Sequence, residues 1–263
     1  TSISTDPVLV PGPLNSKNVY IGTLGSGILS VDAAITRAGD FTSNIVQKFS
    51  TATIPAIADN RITDLCAREG MLLVTSSGGV DFIVEEFFRS TRPLTVSGAS
   101  NCFLTSSGGG YWAVPSSGVE VNYDLLTTTG TGFIDVDFTY NSTTSDPLLP
   151  SNIVNDISIS TTVGSNLLSF ATAAGSLVVE ERQSSENLSS RKTILPFRIV
   201  VSNDFSFQAE FLSGRLYVST AAEVDIFDLS TDSIVGYHTP TSGTNNQTLV
   251  SGSLTTVRTT SIG

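Results

Sequence analysis

The chain has 263 residues, with 13 lysines and arginines against 24 aspartates and glutamates, a net charge of -11 at pH 7, and 40% hydrophobic and 14% charged residues. That balance argues against extended disorder, and the scattered bases argue against sequence-independent nucleic-acid binding on a basic face. No apolar run approaches the roughly 18 residues that cross a bilayer, no basic-then-apolar start marks an intact signal peptide, and one histidine with two cysteines leaves few soft ligands, so neither metal nor cofactor is expected.

Serine and threonine together make up more than a quarter of the residues, and long helix-favouring stretches are missing, which is an all-β composition. In chain order, TDPVLV places Asp6 ahead of the first hairpin pattern, NVYIGTLGSGILSVD around Thr23. ITDLCA then places Asp64 before GMLLVTSSGGVDFIV, centred on Thr75. EEFFRS follows, with Phe87 and Phe88 on opposite faces of a strand end, so that one of them is a candidate docking residue. SNCFLTSSGGGYWAV, from Ser100, superposes on the Gly70 segment without a gap. DLLTTTGTGFIDVDF surrounds Thr128, and the polar segment 139–152 reads as an extended loop. VNDISI carries Asp156 ahead of NLLSFATAAGSLVVEE around Thr172, and a second polar loop covers 182–191. SNDFSF carries Asp204 ahead of GRLYVSTAAEVDIFDLS around Thr220.

Each repeat consists of alternating apolar residues, a threonine, small residues and a second alternating run, the pattern of a β-hairpin with one buried face per strand. The threonines at 23, 75, 128, 172 and 220 lie about 52, 53, 44 and 48 residues apart, the size of one four-stranded unit. The copy at Thr105 competes with Thr128 as anchor of the third unit. The sequence Asp-apolar-x-apolar, a turn, LYVST, small residues and VDIFDLS resembles the generic repeat of β-propellers of the WD and LVIVD kinds, without the Gly-His and Trp-Asp signatures of the former. The resemblance implies a single-domain, all-β propeller of five four-stranded blades over 1–237, with 238–263 closing the ring or pairing with a neighbouring subunit.

On that reading Asp6, Asp64, Asp156 and Asp204 line one mouth of a central channel. Clustered carboxylates bind cations or share acid and base roles, as in five-bladed glycosidases. An aspartate repeated in blade after blade fits better as a structural acceptor of backbone N–H groups. Tyr111 and Trp112 are candidates for stacking on a sugar or anchoring a protein, since strict alternation turns one inward and one outward. His238, in GYHTP, lies in an expected loop without a nucleophile-elbow partner, and the glycine clusters at 22–27 and 106–110 are turns, because strands rather than helices follow them. The spacing of Cys66 and Cys102 leaves a disulfide and two buried thiols both open. The three sequons, at Asn141, Asn187 and Asn246, are what a chain so rich in Ser and Thr contains by chance. The expected function is a non-catalytic interaction module with protein partners, of virion, phage-tail or extracellular kind, binding other structural proteins or a host receptor. The alternative is a carbohydrate-binding protein or glycosidase.

Overall fold

The computed structural model describes residues 2–5, 18–32, 45–53, 56–84, 88–145, 148–162, 165–183, 191–193, 199–202, 206–220, 224–228 and 233–238. They form five antiparallel sheets in chain order. The first holds β1 (Ser2–Thr5), β2 (Asn18–Gly22), β3 (Ile28–Asp32) and β4 (Ile45–Phe49), and the second β5 (Ile62–Arg68), β6 (Met71–Ser76), β7 (Gly79–Val84) and β8 (Phe88–Pro93). The third holds β9 (Ser100–Leu104), β10 (Gly110–Val114), β11 (Gly118–Asn122) and β12 (Phe138–Tyr140). The fourth holds β13 (Val154–Thr162), β14 (Ser165–Thr172), β15 (Gly175–Gln183) and β16 (Arg191–Thr193), with β17 (Ile199–Ser202) also pairing to β15. The fifth holds β18 (Ser206–Leu212), β19 (Arg215–Thr220), β20 (Val224–Asp228) and β21 (Ser233–His238). The first strand of each sheet lies against the first strand of the next, β1 on β5, β5 on β9, β9 on β13 and β13 on β18. These are the blades of a β-propeller with the first strands innermost.

The core lies between blades rather than within one of them, because a single twisted sheet cannot bury its own face. Ile28, Phe49, Ile62 and Val74 fill the first junction, and Leu73, Phe82, Trp112 and Leu125 the second. Tyr111, Tyr140, Leu168 and Phe170 fill the third, and Ala171, Leu216, Val218 and Phe227 the fourth. Polar anchors cross two of these junctions. Arg92 of β8 grips Glu120 of β11 through Nε to Oε2 at 2.6 Å and Nη2 to Oε1 at 3.0 Å, and Trp112 Nε1 donates to the same Oε2 at 3.0 Å. Glu181 of β15 accepts the hydroxyls of Tyr111, Tyr140 and Tyr123 at 2.5, 2.6 and 3.2 Å. Each of these two buried carboxylates is thereby satisfied with at least one donor from the neighbouring blade.

The third blade departs from the sequence reading. The segment around Thr128 is a 3-10 helix, Leu125–Gly130, instead of a hairpin. Its threonines turn their hydroxyls back on their own backbone, Thr127 to Asp124 O, Thr128 to Leu125 O and Thr129 to Leu126 O, at 2.6 to 2.9 Å, which satisfies carbonyls that a strand would have presented to a partner. Leu125 is buried against Gly110, and its N–H donates to Gly108 O. The segments beginning at Gly70 and Ser100, so alike in sequence, occupy different hairpins, β6–β7 in the second blade and β9–β10 in the third. The turn equivalent to Ser77–Gly78 is Pro115–Ser117, and the glycines that follow these turns mark the true register. Gly79 (φ 148°) and Gly118 (φ 102°) press so closely on the carbonyls of Arg92 and Tyr140, at the end of the fourth strand, that a Cβ would overlap them.

His238 ends β21 opposite Val224 rather than lying in a loop. Residues 239–263, most of the expected closing segment, lie outside the described residues, as do Asp6, Phe87 and Asp204. Among the described residues no helix is long and apolar enough to cross a membrane.

Candidate functional site

The innermost strands carry a repeated irregularity. In β5, β13 and β18 the register to the second strand slips by one residue, between Ile62 and Asp64, between Val154 and Asp156, and between Ser206 and Gln208. A bulge of this kind re-aims the extra residue and the one after it. Thr63 Oγ1 donates to Ala99 O at 2.6 Å, and Asp64 Oδ2 accepts the N–H of Cys102, three residues further on, at 3.1 Å. Asn155 Nδ2 donates to Ser206 O at 2.8 Å, and Asp156 Oδ2 accepts the N–H of Ala209, again three residues on, at 2.9 Å. Asn101, at the β9 slip, donates to Val154 O at 3.1 Å. A polar residue followed by aspartate is therefore a two-point clasp from one blade to the next.

Two of the four predicted acids fall within the described residues, and the structure brings Asp64 and Asp156 into electrostatic reach of each other. Burial raises the Asp156 carboxyl from the usual 3.8 to about 6; its hydrogen bonds from Ala209 and Ile157 oppose the rise, and the nearby charges of Glu210 and Asp64 add to it. Burial pushes Glu210 upward as well. The strand register places Gln208, and not Asp204, at the position in the fifth blade that Asp64 and Asp156 occupy in theirs. In the third blade the corresponding residue is Cys102, which is joined by a disulfide to Cys66 of the second, with Cα atoms 6.0 Å apart.

Tyr111 and Trp112, expected to place one ring outward, are both 0% exposed. Alternation fails here because a blade is covered on both faces, and each ring is also fixed by a buried glutamate. Neither offers a stacking surface for a sugar. Phe88 opens β8, but its side chain is outside the described set, so the docking role given to it and to Phe87 rests on sequence alone.

Four of the eight large apolar residues exposed among the described residues, none of them singled out by sequence reasoning, lie at one end of the blades. The connection 94–99 is tied to the β6–β7 turn by Leu94 N–H to Gly78 O and Ala99 N–H to Ser76 O. The connection before β13 is tied to the β14–β15 turn by Ala173 N–H to Ile153 O. Leu24, in the β2–β3 turn, bridges to Arg61 just before β5. The turns between second and third strands and the blade-to-blade connections thus share one end, where Val96 is 88% exposed, Leu24 67%, Ile153 54% and Leu148 39%. Leu126 and Leu212 are exposed at the opposite end, Phe133 alongside β8, and Phe207 at the slip in the inner strand β18.

No protein-family model matches the chain, and no curated protein matches it in sequence. Among solved structures, the Cps50 (Swd1) β-propeller domain of Myceliophteria thermophila is similar in fold, with TM-score 0.59 at 9% identity, over 91% of this chain and 72% of that one. The nidogen/laminin complex matches with TM-score 0.49 at 12% identity, over 91% of this chain and 79% of that one. The first of these supports the β-propeller fold and nothing finer.

Proposed function

We propose that this β-propeller is a non-catalytic protein-interaction module that binds through the end of its blades bearing Leu24, Val96, Leu148 and Ile153. The observation that supports this reading is the exposure of four large aliphatic side chains, contributed by loops of successive blades, at the end where those loops are hydrogen-bonded to rigid turns. Exposed apolar side chains on loops held by a stiff scaffold bind with little ordering cost. The inner acids Asp64 and Asp156 have a sufficient role as clasps, so they need no substrate to account for them. Within this reading, the lysine-poor, Ser/Thr-rich composition favours a part of a virion or phage tail that meets other structural proteins or a host receptor.

The test is capture from the native source on immobilised chain, comparing the unaltered protein with Val96→Asp/Ile153→Asp and with Leu212→Asp. A partner retained by the unaltered protein and by Leu212→Asp but lost with the double variant supports the assignment. Equal retention by all three, or turnover of a glycan substrate that disappears in Asp64→Asn, refutes it.

A further inference from the structure

Asp64, Cys66 and Cys102 place a carboxylate oxygen and two sulfurs within 4.8 Å of one another, on neighbouring inner strands. We propose that, once the disulfide is reduced, these three side chains bind one thiophilic divalent cation, zinc or cadmium, at the junction of the second and third blades. The inference is independent of the docking face. Tetrahedral zinc with bonds of about 2.3 Å to sulfur holds two thiolates roughly 3.8 Å apart, a separation that cysteines with Cα atoms 6.0 Å apart reach by side-chain rotation alone. Two thiolates and a carboxylate are a soft, negatively charged donor set that selects such a cation over magnesium or calcium.

Both sequence and fold prepare the site. Cys66 and Cys102 come from inner strands that pack side by side, so the backbone fixes the spacing before any ion arrives. The Cys102 N–H, donated to Asp64 Oδ2, ties that carboxylate to the same short stretch of β9, an outer-shell contact of the kind that orients ligands. Asp64 and Cys66 are only partly buried, which leaves the junction open to an entering ion, and Asp156 adds negative charge nearby. A phosphine and one water reduce the disulfide to two thiols and become the phosphine oxide; the cation then displaces one proton from each thiol. Disulfide and metal are alternative occupants of one junction.

The experiment titrates phosphine-reduced chain, freed of reductant without air, with cadmium, following thiolate-to-cadmium charge-transfer absorption and proton release, and repeats the titration with zinc against a chromophoric chelator. Fluorescence of Trp112, the single tryptophan, reports whether the chain stays folded. The expected result is one cation and two protons per reduced chain, none bound by the oxidised chain, loss of binding in Cys66→Ser and Cys102→Ser, and affinity at least about tenfold weaker in Asp64→Asn with unchanged fluorescence. The proposal is overturned by any one of these results: no stoichiometric binding by reduced chain, equal binding by oxidised chain, affinity unchanged in Asp64→Asn, or a reduced chain that unfolds and that zinc does not refold.

Discussion

Replacing Asp156 by asparagine stabilises the protein at neutral pH, although it removes a charge from a hydrogen-bonded clasp. The folded-state carboxyl titrates at about 6 against an ordinary 3.8, so the native state binds a proton more tightly than the unfolded chain does. Below pH 3.8 both states are protonated and the group contributes nothing. Between 3.8 and 6 the unfolded state ionises first and stability falls with rising pH; above 6 the full cost is present. At 1.36 kcal/mol per pH unit the difference amounts to about 3 kcal/mol as a ceiling, and partial solvent access brings it to roughly 1–2 kcal/mol. Asparagine is the uncharged isostere and still accepts the Ala209 N–H. Urea unfolding from pH 3.5 to 8 therefore shows variant and parent alike at pH 3.5 and the variant more stable by about 1–2 kcal/mol at pH 8. A variant less stable than the parent at pH 8, or a gap that does not change with pH, refutes the reasoning.

Three further substitutions probe the junctions. Arg92→Ala leaves Glu120 buried with only Trp112 and Ser117 as partners and lowers stability by about 3 kcal/mol in thermal or urea unfolding, while Glu120→Gln costs less. Gly118→Ala forces a Cβ onto the Tyr140 carbonyl at φ 102° and costs at least about 3 kcal/mol, whereas Gly25→Ala, where a Cβ meets nothing within 4 Å, changes the unfolding midpoint little. Removing the Cys66–Cys102 link, 36 residues apart in sequence, lowers stability by about 4 kcal/mol on the chain-entropy account, read as a drop in the urea midpoint between oxidised and reduced chain.

Blade number was legible because each blade repeats a hairpin whose alternation reflects burial. The third blade was misplaced because TTTGTG satisfies both strand propensity and a helical turn closed by threonine hydroxyls, and only the packing of Leu125 under Gly110 decides between them. A sharper signal was present in the glycine that opens or immediately precedes the third strand, since Gly27, Gly79, Gly118 and Gly175 all take positive φ. The acids were legible as a repeat, but their donors were not: the N–H groups of Cys102 and Ala209 lie 38 and 53 residues away, in the next blade. The exposed aliphatics of the proposed docking face escaped notice because isolated residues such as Leu24 in TLGSG and Val96 in TVSGAS break no pattern; only the shared end of the blades unites them.

Amide hydrogen exchange, measured on the chain alone and with its captured partner, probes that shared end directly. Slowed exchange confined to the loops around Leu24, Val96 and 148–153, with the turns at Glu69–Gly70 and Ser213–Gly214 unaffected, is the predicted result. Protection at those latter turns, or along the inner strands beside Asp64 and Asp156, would contradict the account.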